Sequence, residues 1–339
     1  MRAIIMRSGI KQVAEHAGVS IASVSHVINN TRYVSDEVKR KVYQAMEELD
    51  YRPNSAARSL RSQKSNTIGL IVPVLPSDTS NFFFMMVAQG IQYTLKQHGY
   101  HLLLSNNTTE QIEDEQEQIK LFNSKMIDGL FIASIAEDVS YLTDIVRSNY
   151  PVVFIDRKPT GYIGDSVLAD GIGGAYEAVQ TLIIKGHRRI GMLTGELGIT
   201  TSNERYEGYK KALADHDIPF DSSIVRIAES KLESGYESVK DLLAEQEITA
   251  LFIANNVLTM GAMKYMQERR IQIPTELAII GFDDYDWTQI TTPPLSVIRQ
   301  PSYEIGVKSA EIMLERIENP GSICKEYRLP TALILRGSC

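Results

Sequence analysis

Short apolar-periodic segments open the chain. In residues 11–30, KQVAEHAGVSIASVSHVINN, Val13, Ala14 and Ala17 share one face of a first helix. Val24, Val27 and Ile28 share one face of a second. Gly18 between them turns without a Cβ clash, and Ser20 is placed to cap the second helix. Such a pair is either an ordinary αα-hairpin or a helix-turn-helix, whose second helix enters a DNA major groove. A third apolar face follows at Val38, Val42, Ala45, Met46 and Leu49. Ser35 can cap that helix, Asp36 and Glu37 suit its first turn, and Pro53 ends it at or before Arg52. Three helices can enclose a miniature core and leave the second free.

From Thr67 the pattern changes to apolar strands alternating with helices. Strands are expected at 68–72, 101–104, 129–133 and 152–155, with helices near 83–98, 112–122 and 141–147. A second series starts near Val167, with strands at 190–193, 224–227, 250–254 and 277–281 and helices at 174–184, 205–215, 236–244 and 258–269. Two βαβα series imply two doubly wound parallel sheets, which bind ligands beyond the carboxyl ends of their strands. Polar residues collect at those ends: Ser77, Asp78 and Asn81 before Phe83-Phe84, then Asp156-Arg157, Thr200 to Arg205, Asn255-Asn256 and Asp283-Asp284. Asp, Asn and Arg pair with vicinal sugar hydroxyls, and an aromatic covers a sugar's apolar face. Each of these residues taken singly also fits a plain cap or turn.

Charge divides the 339 residues as the pattern does. Residues 1–65 hold 11 Lys/Arg against 6 Asp/Glu, a net of +5, while the remainder holds 24 against 36, a net of −12. A basic headpiece on an acidic body is the footprint of a small DNA-binding unit on a larger domain. Cys324 and Cys339 have no CxxC spacing and no histidine cluster beside them, so neither a disulfide framework nor a metal site is expected. No apolar run approaches a membrane span, and Ala3 to Met6 is too short for a secretory core. A cytoplasmic location is expected, with translation starting at Met1 or Met6.

On the second helix Ile21, Ala22, Ser25, His26 and Asn29 project outward or sit at the helix start. Ile21 and Ala22 suit thymine methyls, and His26 and Asn29 suit hydrogen bonds to base edges. Ser20, Ser23 and Ser35, with nearby Lys and Arg, suit phosphate. Downstream, Asn54 can cap a helix of about two turns ending at Arg61, too short to be stable alone. Leu60 between Arg58 and Arg61 reads as an apolar wedge for a minor-groove base step, or as a linker residue packing on the body.

VAEHAGVSIASVSHVINN, followed by YVSDEV, ELDYRPNSAARSL and TIGLIVP, resembles the LacI/GalR family of bacterial transcriptional regulators. The four motifs stand in order and spacing, and the resemblance runs to the C-terminal strand. It implies a helix-turn-helix headpiece with a hinge helix that folds when two protomers meet on DNA. An α/β periplasmic-binding-protein-like body of two doubly wound parallel-sheet subdomains follows. Leu60 would open the central step of a pseudo-palindromic operator. Most members carry Arg after the recognition-helix serine, where this chain has Ser25-His26, so its operator is expected to differ there.

The resulting map is a flexible extension at 1–9, a headpiece at 10–53, hinge and linker at 54–66, and an effector-binding and dimerisation domain at 67–339. Its subdomains are expected at about 67–164 with 293–322, and 165–292 with 323–339; three crossovers would form the hinge between them. The resemblance places the small-molecule effector on Phe83, Arg157, Arg205, Asn256 and Asp283, with Ser77 and Asp78 at the rim. Arg157 stands where purine-responding relatives carry an aromatic, which favours a sugar or sugar derivative. The expected assembly is a homodimer on double-stranded DNA, acting as a repressor, with no cofactor or membrane. GxSxG, HExxH, P-loop and GxGxxG motifs are missing, so no enzyme is expected. The alternative is a transporter's sugar-binding protein, which has no use for a basic helical headpiece.

Overall fold

The computed structural model describes residues 9–29, 32–51, 64–74, 82–107, 111–124, 127–147 and 150–339. Asn54, Arg58, Leu60 and Arg61 of the expected hinge, and Ser77 and Asp78 of the expected rim, lie outside the described residues. The chain forms two compact units, 1–65 and 66–339.

The first unit holds α1 (Ile10–Ala17), α2 (Ile21–Asn29) and α3 (Asp36–Glu48). The anticipated faces meet: Val13, Ala14, Val24, Val27, Val42 and Ala45 are buried, with Val38, Met46 and Leu49 half-buried around them. The turn after α1 is set by Gly18 at φ 65, a left-handed conformation that only glycine adopts freely. Its N–H donates to Glu15 O (3.3 Å) and that of Val19 to Ala14 O (3.0 Å), the paired bonds of a Schellman ending. A Cβ on Gly18 would meet nothing within 4 Å, so the cost of adding one is conformational and not steric. Gly18→Ala is therefore expected to destabilise the headpiece by about 1–2 kcal/mol, and Gly18→Asn by less, as urea titration of the full chain would show. Ser35 holds the N-cap position of α3 but makes no side-chain cap bond, contrary to expectation. Its φ of −59 and ψ of 149 still deliver the chain into the helix.

The second unit carries two six-stranded sheets. Its first lobe contains β1 (Thr67–Pro73), α4 (Phe82–Gln97), β2 (His101–Asn107), α5 (Ile112–Ser124), β3 (Gly129–Ile132), α6 (Leu142–Ile145), β4 (Val152–Ile155) and β5 (Asp165–Ala169). The second continues with α7 (Gly171–Ile184), β6 (Ile190–Thr194), α8 (Thr200–Asp215), β7 (Val225–Ile227), α9 (Leu232–Glu245), β8 (Ala250–Ile253), α10 (Asn256–Arg269), β9 (Ala278–Phe282), α11 (Asp286–Gln289) and β10 (Ser296–Arg299). The chain then returns through α12 (Ser302–Glu318) and β11 (Glu326–Leu329) to the first lobe, and ends in β12 (Ala332–Ile334) of the second. Strand orders are β11-β5-β4-β3-β1-β2 and β12-β10-β9-β8-β6-β7. Among the described residues only the β10–β12 pairing is antiparallel.

These pairings correct the expected lobe boundaries at 164, 292 and 322. Strand β5 belongs to the first sheet, between β4 and β11, and β10 to the second. Apolar runs mark buried strands but say nothing of their partners, which long-range pairs decide. One such pair is Arg316 Nη2 with Asp165 Oδ2 (2.7 Å), nearly buried, while Lys325 N–H donates to Asp165 Oδ1 (2.9 Å). Together they steer the chain from α12 into β11. Helices α4 and α12 pack at Gly90 and Gly306, where a Cβ on either would strike the facing backbone. The lobes are thus joined at three crossings, 169–171, 299–302 and 329–332. At the first and third of these, Asp170 N–H donates to Leu329 O at 2.8 Å.

Candidate functional site

In the first unit, α2 turns its apolar face inward and leaves a polar surface outward. Ser20 Oγ accepts from Ser23 N–H at 3.0 Å and lies 2.9 Å from Ser23 Oγ, capping α2 as expected. Ile21 is 48% exposed beside exposed Ala22, whereas Val24 and Val27 are buried. Ser23, Ser25 and His26 are half-buried and Asn29 is exposed, its Nδ2 turned back to donate to Ser25 O at 2.8 Å. Sequence reasoning passed over Tyr33, which is 92% exposed beside Arg32 just after α2. A bare aromatic next to a cation in the loop after this helix was the available signal.

In the second unit, four of the five described candidates stand after the carboxyl ends of strands, and two of them, Arg157 and Arg205, act on the same carboxyl, Asp156. Arg205, on the second turn of α8, is 7% exposed and donates from Nη1 to Ala254 O at 2.7 Å. Its guanidinium carbon lies 3.7 Å from the Phe282 ring centroid, a cation–π contact. Asn256, at the start of α10, and Asp283, just after β9, are both 8% exposed. Asn255 performs the capping, its Oδ1 accepting from Val257 N–H and Leu258 N–H, so Asn256 is not the cap. Asp283 sits at φ 72, held by its N–H to Ile298 O (2.8 Å) and by Gln300 Nε2 donating to its Oδ1 (2.7 Å).

Arg157 lies at the end of β4, donating from Nη1 to Ser134 O at 3.0 Å, with Nε 3.7 Å from Asp156 Oδ2. Burial pushes the Asp156 carboxyl up, opposed by Arg157 and Arg205. Burial likewise pushes the Arg157 guanidinium down, opposed by Asp156 and Glu115. Among the described residues, Arg157 Nε, Arg205 Nε and Gln300 Oε1 are buried without a hydrogen-bond partner. Two donors and an acceptor of this kind suit a polyhydroxylated ligand.

Phe83 is placed differently from the others. It packs in the first lobe's core with Val72, Val87 and Ala133, 5.1 Å from the edge-on Phe84 ring. Phe82 instead lines a cavity of about 750 Å³ with Tyr285, Gln300 and Tyr303. A second cavity, of about 240 Å³, opens between Ser134, Arg157, Thr200 and Glu204. The lobes touch around it, Lys158 N–H donating to Thr200 Oγ1 (3.0 Å) and Arg328 pairing with Glu204 (2.8 Å). Asp156 and Gln300 were left out of the expected effector set, although Asp156 stood among the strand-end polar residues. Asp156 was legible as Arg157's neighbour, but Gln300 sits in a crossover that carries no periodic signal.

A three-helix unit with an exposed second helix, and a body with a polar cleft between parallel-sheet lobes, define a ligand-responsive DNA-binding regulator. Residues 9–54 match the family described as bacterial regulatory proteins, lacI family, and residues 179–339 the periplasmic binding protein-like domain. The ribose operon repressor of Haemophilus influenzae is 33% identical over 331 residues, covering 97% of this chain and 98% of the relative. The transcriptional repressor PurR of Vibrio atlanticus is 33% identical over 338 residues, with the same coverage. A crystal structure of the lac repressor dimer bound to operator and the anti-inducer ONPF superposes with a TM-score of 0.85 at 25% identity, over 98% of each chain. The chain belongs to the lacI family of bacterial regulatory proteins. It is a DNA-binding transcriptional regulator, and its relatives are named as repressors, neither enzymes nor transport proteins.

Proposed function

We propose that the protein is a repressor that binds a pseudo-palindromic operator as a homodimer and is controlled by a sugar, D-ribose or a close analogue, in the cleft. The carrying observation is the set of polar residues near the strand ends, Arg205, Asn256, Asp283 and Gln300 buried and Arg157 half-buried, in which Asp283 accepts from Gln300 and the guanidinium groups donate to Ser134 O and Ala254 O. The ribose operon repressor among the relatives points to the same ligand class. Ile21 and Ala22 contact thymine methyls, and His26 and Asn29 contact base edges, each good pair contributing about 1–3 kcal/mol of discrimination. Ser20, Ser23 and Ser25 secure α2 against the backbone. Asn54, Arg58, Leu60 and Arg61 form the hinge, with Leu60 entering the central base step. Such a regulator works in the cytoplasm, on the nucleoid when operator-bound. No helix of the described residues is long and apolar enough to cross a membrane.

Effector closes the lobes, shifts the pairing of the first lobes in the dimer, and so changes the spacing of the two hinges. Linkage then requires operator to change effector affinity by the same factor. The test combines thermal shift with operator titration by fluorescence anisotropy, using D-ribose and, in parallel, hypoxanthine. At a hundred times its Kd, D-ribose adds about 2.7 kcal/mol of stability, a rise of about 5 °C or more for a body of this size. It also changes operator affinity. A response to hypoxanthine and none to D-ribose overturns the sugar assignment. Sugar binding with no sequence-specific, salt-sensitive DNA binding overturns the regulator assignment.

A further inference from the structure

Glu115 carries a charge inside the first lobe, where the function above gives it no task. It is 0% exposed, on α5. Its Oε1 accepts from Ser134 Oγ (2.7 Å) and Tyr141 Oη (2.5 Å), and its Oε2 from Ile135 N–H (3.0 Å). Ser134 Oγ in turn accepts from Ala136 N–H at 3.0 Å. Three groups of the turn after β3 are thereby tied to one carboxylate. The free carbonyl of that turn, Ser134 O, accepts from Arg157 Nη1 at 3.0 Å. Ser134, Ile135 and Ala136 also line the smaller cavity opposite Thr200 and Glu204 of the second lobe.

A buried carboxylate is costly unless its oxygens are satisfied, and here two of its three donors, Ser134 Oγ and Ile135 N–H, belong to one turn. The group that turn presents outward, Ser134 O, is the acceptor of the Arg157 guanidinium. We propose that Glu115 is a positioning residue for the effector cleft: by clamping the turn 134–136 it aims Ser134 O, and through it Arg157, at the ligand. The Glu115 carboxylate also acts on the Arg157 guanidinium, opposing with Asp156 the downward push of burial. Tyr141 shares Glu115 Oε1 with Ser134 and also interacts with the Ser134 hydroxyl, so it belongs to the same network. Burial, and then the Glu115 charge, push its hydroxyl far above the ordinary range, so it remains a donor.

The bearing on ligand rests on the sugar-cleft reading, whereas the positioning of Arg157 does not, and two readouts separate them. The first maps modification of Arg157 by phenylglyoxal in the full-length protein by peptide mass analysis, with Arg205 as internal reference. Glu115→Gln keeps the side chain's shape but removes its charge and turns an accepting oxygen into a donor. It is expected to speed modification of Arg157 about fivefold relative to Arg205, the scale of a lost partner in a charged hydrogen-bond network. Tyr141→Phe, which keeps the Ser134 and Ile135 bonds to the carboxylate, is expected to give a smaller rise than Glu115→Gln. The second readout is D-ribose affinity, expected to fall about tenfold in Glu115→Gln, about 1.4 kcal/mol, with operator affinity in the absence of sugar unchanged.

Unchanged Arg157 reactivity in folded Glu115→Gln, or an equal rise in Tyr141→Phe, overturns the proposal. Should Glu115→Gln not fold, Ser134→Ala gives the same readout with the charge retained, and no rise there overturns it as well. Faster Arg157 modification in a protein whose wild-type form ignores D-ribose sustains the positioning and defeats the sugar reading alone.

Discussion

Asp283→Asn is expected to weaken D-ribose binding about a hundredfold, or about 2.7 kcal/mol, and to leave sugar-free operator affinity within about twofold of wild type. Asn is the informative replacement because residue 283 sits at φ 72, where Asn is tolerated and Ala adds strain of its own. Asn Oδ1 can also still accept from Gln300 Nε2, so the crossover at 299–302 keeps its anchor. What changes is the second carboxylate oxygen and the charge, which a sugar's hydroxyls feel directly. Sugar titrations by calorimetry, with operator titrations at several sugar concentrations, read both quantities. The operator curve of the variant should no longer respond to sugar at concentrations that saturate the wild type. A full response in Asp283→Asn would place the ligand elsewhere.

Gln300 shows why such a site couples to the hinge. It lies between β10 of the second lobe and α12 of the first, and it holds Asp283 directly. Moving the crossover therefore moves Asp283, the acceptor the proposed function gives to the ligand. The contacts between Lys158 and Thr200, and between Arg328 and Glu204, span the lobes on the smaller cavity's side. Lobe closure thus has a physical handle at each opening of the cleft.

What the chain reveals before folding depends on how local the signal is. Val24 and Val27 announce α2's inner face by spacing alone, and their complement, Ile21 and Ala22, is exposed as that spacing requires. Strand ends announce Arg157, Arg205, Asn256 and Asp283 as candidates, because a doubly wound sheet binds ligands beyond those ends. Phe82, Phe83 and Phe84 are three aromatics in the first turn of α4, where periodicity does not say which faces the cleft. The first lobe's core takes Phe83 and leaves Phe82 at the larger cavity. Glu115 is the extreme case. Within EQIEDEQEQIK it reads as one more acid on a solvated helix face, and partners 19 to 26 residues away, Ser134, Ile135 and Tyr141, satisfy it in the core. The side chain of Ser35 illustrates the converse, a local capping signal that the folded turn leaves unused.

Val24→Asp is expected to abolish operator binding, lowering affinity more than a hundredfold on specific and non-specific DNA alike, while sugar binding survives unchanged. Val24 is fully buried in a core whose buried members among the described residues are six, two of them alanines. A core of that size supplies only about 3–5 kcal/mol of net stability. A carboxylate buried without a partner costs several kcal/mol, as much as the whole unit has. Repacking cannot spare it, because Val13, Val27 and Val42 close around the same point from three helices. The body is a separate compact unit, 66–339, with its own cores in both lobes, and nothing in those cores draws on the headpiece. Its thermal transition and its stabilisation by D-ribose should therefore be those of the wild type, while the helical signal of about three short helices is lost. A matching loss of body stability would mean that the two units fold as one. In that event headpiece and sugar cleft would be coupled through the native structure itself, rather than through the hinge between them.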